Sequence, residues 1–92
     1  MITAIVFVQA ETARIPEVAE AIAALEGVSE VYSVTGQIDL IALVRVSSHE
    51  DIATVVADRL NKVDGVVDTE THIAYRAYSR HDLEAAFSLG LD

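Results

Sequence analysis

Two stretches of this chain, Ile2 to Ala10 and Ile38 to Val46, are apolar on both alternating sets of positions. In the first, Ile2, Ala4, Val6 and Val8 form one set, while Ile5 and Phe7 belong to the other. A short, continuous apolar run of this kind predicts a strand in the middle of a sheet, screened from water on both faces. Gly36 bounds the second run on one side and Ser47-Ser48 on the other, which argues against a helix there. Two further strand-like stretches, Val28 to Thr35 and Val66 to Tyr78, mix in Ser, Thr, Asp and Glu. That is the composition of edge strands that must resist pairing with other chains.

Between the strands the period changes. Pro16 suits the first turn of a helix, and Ile15, Val18, Ile22 and Leu25 recur at helical spacing, with Glu17, Glu20 and Glu26 turned away. Gly27 is a natural stop. Ser47-Ser48-His49-Glu50-Asp51 has the pattern of a capping box, and Ile52, Val55, Val56, Leu60 and Val63 then line one side of a second helix that ends at Gly65. Ser79-Arg80-His81-Asp82-Leu83 is suited to start a short terminal helix. Leu25-Glu26-Gly27-Val28 and Val63-Asp64-Gly65-Val66 hold the same place in two successive strand–helix–strand units, a weak internal repeat. The order β-α-β-β-α-β predicts an α+β, ferredoxin-like sandwich: a four-stranded antiparallel sheet with two helices on one face. In that fold the first and third strands are central, in agreement with their apolar character.

Two helices on one face leave the other face open. On one choice of register it exposes Ile5 and Phe7 with Ile41 and Leu43, and the other choice also leaves an apolar patch. Such a patch marks an interface, and a two-fold dimer through the open sheet faces is the expectation. Composition points the same way. The 92 residues are read as one small domain, 1–92, yet 52% of them are hydrophobic, more than one small core needs. No apolar run approaches the roughly 18 residues of a spanning helix. The start, Met-Ile-Thr-Ala-Ile, lacks the basic region of a signal peptide, so an oligomer accounts best for the surplus. A net charge of −9 speaks against direct binding of nucleic acid or an anionic membrane, since phosphate recognition needs clustered Lys and Arg. The chain has no cysteine, which excludes disulfides and thiol chemistry and fits a cytoplasmic protein.

Residues able to carry chemistry are few. Asp39 stands at the mouth of an apolar strand, where an acid is costly unless satisfied. It either accepts backbone N–H groups around Gly36 and Gln37, bracing the turn, or receives the ammonium group of a bound amino acid, and chemistry alone favours the brace. Gly36 suits a positive φ or a close backbone approach. Thr69 and Thr71 point to one face of the last strand, where they serve as strand filling or meet a small polar ligand. Tyr32, Tyr75 and Tyr78 suit packing at the sheet rim. His49, His72 and His81 lack metal-ligand spacing, no serine sits in a nucleophile elbow, and no cofactor motif is present. These observations predict a protein that is not an enzyme and holds neither metal nor cofactor.

Taken together, Thr35-Gly36-x-x-Asp39-Leu40, the preceding Leu-Glu-Gly-Val-Ser-Glu-Val segment and the run Val66 to Ala74 resemble the effector-binding domain of the Lrp/AsnC family of amino-acid-responsive regulators. The resemblance covers nearly the whole chain. It implies a dimer through the sheet faces, often four dimers in a ring, with amino-acid effectors in clefts between dimers near the hairpin turn. By position, Thr35, Gly36 and Asp39 match the hairpin part of that site, and Thr69 and Thr71 the part from the last strand. The family normally carries an N-terminal helix-turn-helix domain. Here the chain starts at the first strand, so a stand-alone module (RAM type) is expected, one that senses amino acids or modulates a full-length regulator by mixed assembly. A second class shares the fold: small dimeric α/β-barrel enzymes such as cofactor-free monooxygenases. They need a polar or aromatic pocket between sheet and helices, which these central strands do not supply. A ligand-free interaction module is a third reading.

Overall fold

The computed structural model describes residues 1–80. Strand β1 (Ile2–Ala10) leads through a 3-10 turn (Thr12–Arg14) into α1 (Ile15–Ala23), followed by β2 (Val28–Ser33), β3 (Leu40–Val46), α2 (His49–Ala53) and β4 (Val66–Ile73). The sheet order is β2-β3-β1-β4, with every neighbouring pair antiparallel. The two strands apolar on both faces are the central ones, and the architecture is the expected ferredoxin-like sandwich. The edge strands are shorter than the sequence suggested, because pairing ends when a neighbour runs out. Ile73 lies opposite Ala4, and one further bond, Ala74 N–H to the Thr3 carbonyl at 2.9 Å, brings β4 to the start of β1. The expected terminal helix from Ser79 falls, beyond residue 80, outside the described residues.

The register settles which face is covered. Ala4, Val6, Val8 and Ala10 of β1 and Leu40, Ala42 and Val44 of β3 are buried against Val18, Ile22, Ile52, Val55, Val56 and Leu60. The second helix departs from regular α geometry to achieve this. Ser48 Oγ accepts the Asp51 N–H at 3.3 Å as an N-cap, and the α-helical turns last only to Ala53. Thr54–Arg59 is π-helical and Leu60–Lys62 is 3-10. The wide turn, with i→i+5 spacing, stacks Leu60 behind Val55, so that both face the sheet.

On the opposite face Ile5 pairs with Leu43 and Phe7 with Ile41, and all four are only partly buried. Polar pairs flank them. Next to Leu43 and Ile41 are Glu30 and Tyr32, whose hydroxyl donates to Glu30 Oε2 at 2.5 Å. The Glu30 carboxylate accepts this bond and repels the phenolate, which raises the Tyr32 pKa above its ordinary value; Arg45 opposes the shift. Next to Phe7 and Ile5 are Glu70 and His72, with His72 Nε2 2.8 Å from Glu70 Oε2. The Phe7 and His72 rings meet edge to face at 5.1 Å.

The repeated glycines lock the two halves together. Gly27 has φ 95°, and a Cβ there would lie 2.5 Å from Val55 Cγ2 on the second helix. Gly65 has φ 99°, and its Cβ would lie 2.6 Å from Val18 Cγ2 on the first. Arg14 crosses Gly65 as well, its Nη2 3.3 Å from Asp64 Oδ2. Each half thus closes under the helix of the other. Gly27→Ala and Gly65→Ala should each lower stability by about 2 kcal/mol or more, through an unfavourable φ and an overpacked core. Urea unfolding of the two variants measures this, and a change within experimental error for either would contradict the packing.

Candidate functional site

The hairpin between β2 and β3 is fastened at three points. Its Val34 N–H donates to the Asp39 carbonyl and the Asp39 N–H donates to the Val8 carbonyl, each at 3.0 Å. The third point is the Asp39 side chain, whose Oδ2 accepts the Ala10 N–H at 2.9 Å. Leu40 is the first residue of β3 and pairs with Val8. The next N–H along that edge of β1 belongs to Ala10, and there the chain has already turned into the hairpin. The carboxylate of Asp39 takes the place of the missing rung. Ala10 is 7% exposed, so leaving its N–H unpaired would cost about 1–3 kcal/mol. Asp39 is therefore a brace, but of the end of β1 rather than of the N–H groups around Gly36 and Gln37.

The other expected site residues take distinct places. Thr35 and Gly36 are exposed at the hairpin tip. Gly36 has φ 112°, and a Cβ added there would meet nothing within 4 Å, so backbone conformation rather than crowding selects the glycine. Thr69 pairs with Val8 and Thr71 with Val6, which sets both on the helix side of β4. The Thr69 hydroxyl donates to Asn61 Oδ1 at 2.6 Å, tying β4 to the end of the second helix. Hairpin and β4 thus flank β1 at the same end of the sheet, two strand spacings or about 10 Å apart. The five residues do not line one pocket within a protomer.

What does bridge hairpin and β4 is a shallow cavity of about 140 Å³ lined by Phe7, Gln9, Ile38, Asp68, Thr69 and Glu70. Gln9 reaches across it, its Nε2 3.4 Å from the Gln37 carbonyl. Sequence reasoning missed Gln9, Asp68 and Glu70; the polar break that Gln9 makes after the apolar run Ala4 to Val8 was the available signal. A second cavity, of about 350 Å³, lies at the far end of β3 beside Gly27, Ser47, Thr54 and Arg59. Between sheet and helices no buried polar side chain occurs among the described residues. Nor does any group of three or more His, Asp or Glu that could hold a metal ion. The pocket that an α/β-barrel enzyme requires is filled by aliphatic side chains.

Two substitutions separate the roles of Asp39. Asp39→Ala should cost about 1–3 kcal/mol, because the Ala10 N–H loses its acceptor. Asp39→Asn keeps an amide oxygen for that N–H and should retain most of the stability. Thermal or urea unfolding of both variants tests this, and equal losses would refute the rung.

Comparison with known proteins identifies the family. The family model of the Lrp/AsnC ligand binding domain matches residues 3–83. The uncharacterized HTH-type transcriptional regulator YugG of Bacillus subtilis is 41% identical over 66 residues, covering 72% of this chain but only 39% of YugG. This chain thus spans less than half the length of that regulator. The crystal structure of TTHA0845 from Thermus thermophilus superposes with a TM-score of 0.81 at 48% identity, over 87% of this chain and 100% of that one. The transcriptional regulator NMB0573 of Neisseria meningitidis, solved as a complex with L-Met, shares the fold with a TM-score of 0.76 at 18% identity, over 86% of this chain and 53% of that one. No helix among the described residues is long and apolar enough to cross a membrane. Fold, hairpin and matched span agree, and the chain belongs to the Lrp/AsnC family through its ligand-binding domain.

Proposed function

We propose that this chain is a non-catalytic effector-binding and assembly module of the Lrp/AsnC type, which takes up amino acids as small effectors and relays their presence through oligomerisation. The observation that carries this reading is the braced hairpin. Thr35 and Gly36 are exposed on a loop that Val34 and Asp39 close and that Asp39 pins to β1, and the hairpin with Thr69 and Thr71 provides two half-sites on either side of one strand. A neighbouring protomer brings such half-sites together in a cleft. The effector ammonium would meet the Asp39 carboxylate, which uses one oxygen for Ala10, and its carboxylate would meet N–H groups around Gly36. The L-Met in the NMB0573 complex supports an amino acid as the class of ligand. A net charge of −9 leaves this domain unsuited to hold DNA itself. A cytoplasmic role beside a DNA-binding relative, as sensor or mixed-assembly modulator, fits these features.

Assembly is proposed through the open sheet face, as a two-fold dimer that extends to larger rings. Ile5, Phe7, Ile41 and Leu43 already lose most of their surface to neighbours within the sheet. Closing the face therefore contributes on the order of 0.5 kcal/mol per side chain, or about 4 kcal/mol for both copies. Lost rotational and translational freedom costs about 4–15 kcal/mol, so the rim of the face must contribute as well.

Native mass spectrometry should show at least a dimer at micromolar concentration. Leu43→Asp, on the open face, should dissociate it without unfolding, whereas Ala42→Asp, on the helix side, should unfold it. A monomeric wild-type chain would end the sheet-face reading. For the ligand, calorimetric titration with a panel of amino acids should find a binder. Asp39→Asn, which leaves the rung in place, should weaken that binding about 10- to 150-fold, the equivalent of one charge-assisted hydrogen bond. Unchanged affinity would remove Asp39 from the site, and the absence of any binder would favour a ligand-free interaction module.

A further inference from the structure

The most exposed aromatic groups among the described residues are not on the sheet. After Ala74 the chain leaves β4, and in the stretch that follows Tyr75 is 102% exposed and Tyr78 83% exposed. By comparison, Tyr32 on the sheet rim is 50% exposed. Two bare tyrosines three residues apart are an unusual sight on an isolated domain, and tyrosine is among the side chains that concentrate binding energy at interfaces. The segment is also opposite in charge to the rest. The chain carries 15 Asp and Glu against 6 Lys and Arg, and two of those six, Arg76 and Arg80, fall within Tyr75-Arg76-Ala77-Tyr78-Ser79-Arg80, which has no acid. Each edge of the open sheet face carries a carboxylate: Glu30 beside Leu43 on β2, bonded to the Tyr32 hydroxyl and with Arg45 nearby, and Glu70 beside Phe7 on β4, bonded to His72.

We propose that residues 75–78 form an arm that closes over a second copy of this chain, laying Tyr75 and Tyr78 against the rim of the partner's open sheet face and setting Arg76 against the carboxylates there. The inference rests on the sheet-face dimer proposed above and supplies what that face lacks. The patch itself has little apolar surface left to bury, whereas the arm offers two whole aromatic side chains per copy. Charge complementarity selects the occupant: a cationic arm springing from the margin of a face edged with carboxylates meets that same face on another copy. The two-fold relation makes the contact reciprocal, so each copy both gives and receives an arm.

The test uses the full chain. Tyr75→Ser with Tyr78→Ser should raise the dimer dissociation constant about 10- to 100-fold by sedimentation equilibrium, with an unchanged circular dichroism spectrum because both side chains are exposed. Arg76→Glu should raise it as well and reduce its dependence on salt. Since the chain has no cysteine, Tyr75→Cys labelled with a photoactivatable benzophenone places a single probe on the arm. Illumination should give adducts of two chains, with the label mapped by peptide sequencing to the sheet face of the other copy. If the wild type dimerises and Leu43→Asp splits it, yet the arm variants dimerise as well as wild type or the label stays within its own chain, the arm proposal alone falls. If the wild type is a monomer, the sheet-face reading falls and the arm with it.

Discussion

Among the described residues the four-stranded sheet is covered on one side only, and the rest of the structure follows from that constraint. The helix side reaches full burial with two small residues, Ala4 and Ala42, and branched aliphatics around them, Val6, Val8, Leu40 and Val44. That leaves Ile5, Phe7, Ile41 and Leu43 on a face with no second layer among the described residues. Central strands need apolar side chains on both faces to remain strands in the middle of a sheet, and the two helices among the described residues both lie on the same side. The unmet half of that requirement falls on whatever docks there. The proposed assembly is thus rooted in the fold itself rather than in an added feature.

The same economy applies at the hairpin. A strand that turns away leaves its neighbour with an unmatched N–H, and Asp39 answers it with a carboxylate instead of another residue of backbone pairing. An acid at this place satisfies the end of β1 while presenting negative charge at the edge of the sheet. Bracing the strand and the proposed ligand recognition are not alternatives for such a side chain. The hydrogen bond to Ala10 fixes where the charge sits, and a fixed charge recognises an ammonium group better than a mobile one.

Periodicity carried most of the architecture in advance. The even apolar alternation of Ile2 to Ala10, the helical spacing of Ile15 to Leu25 and the Gly27 and Gly65 stops were enough to order the elements and to choose the central strands. Strand ends were less readable, because Val34, Ile38 and Tyr75 have strand-like side chains whose pairing depends on where a neighbour stops. The π-helical turn at Thr54–Arg59 was invisible for a related reason: Val55, Val56 and Leu60 satisfy a helical pattern until the sheet demands that Val55 and Leu60 stack. At the site, the importance of Asp39 was evident, but its partner was not. Ala10 is 29 positions away in the chain, and only the β1–β3 register brings the two together. Thr69 likewise reads as strand filling until Asn61 is seen beside it.

The reciprocal seating of Gly27 under Val55 and Gly65 under Val18 has a consequence for how the domain comes apart. The repeat suggests two modules, yet the sheet order β2-β3-β1-β4 interleaves their strands. Neither half owns a contiguous piece of the core, and neither can open without lifting a helix off the glycine of the other. Partial unfolding therefore has no natural seam, and the backbone amides of β1 and β3 should exchange only through global opening. A molecule that gripped the hairpin would, for the same reason, hold both halves closed at once, turning a local contact into protection of the entire domain.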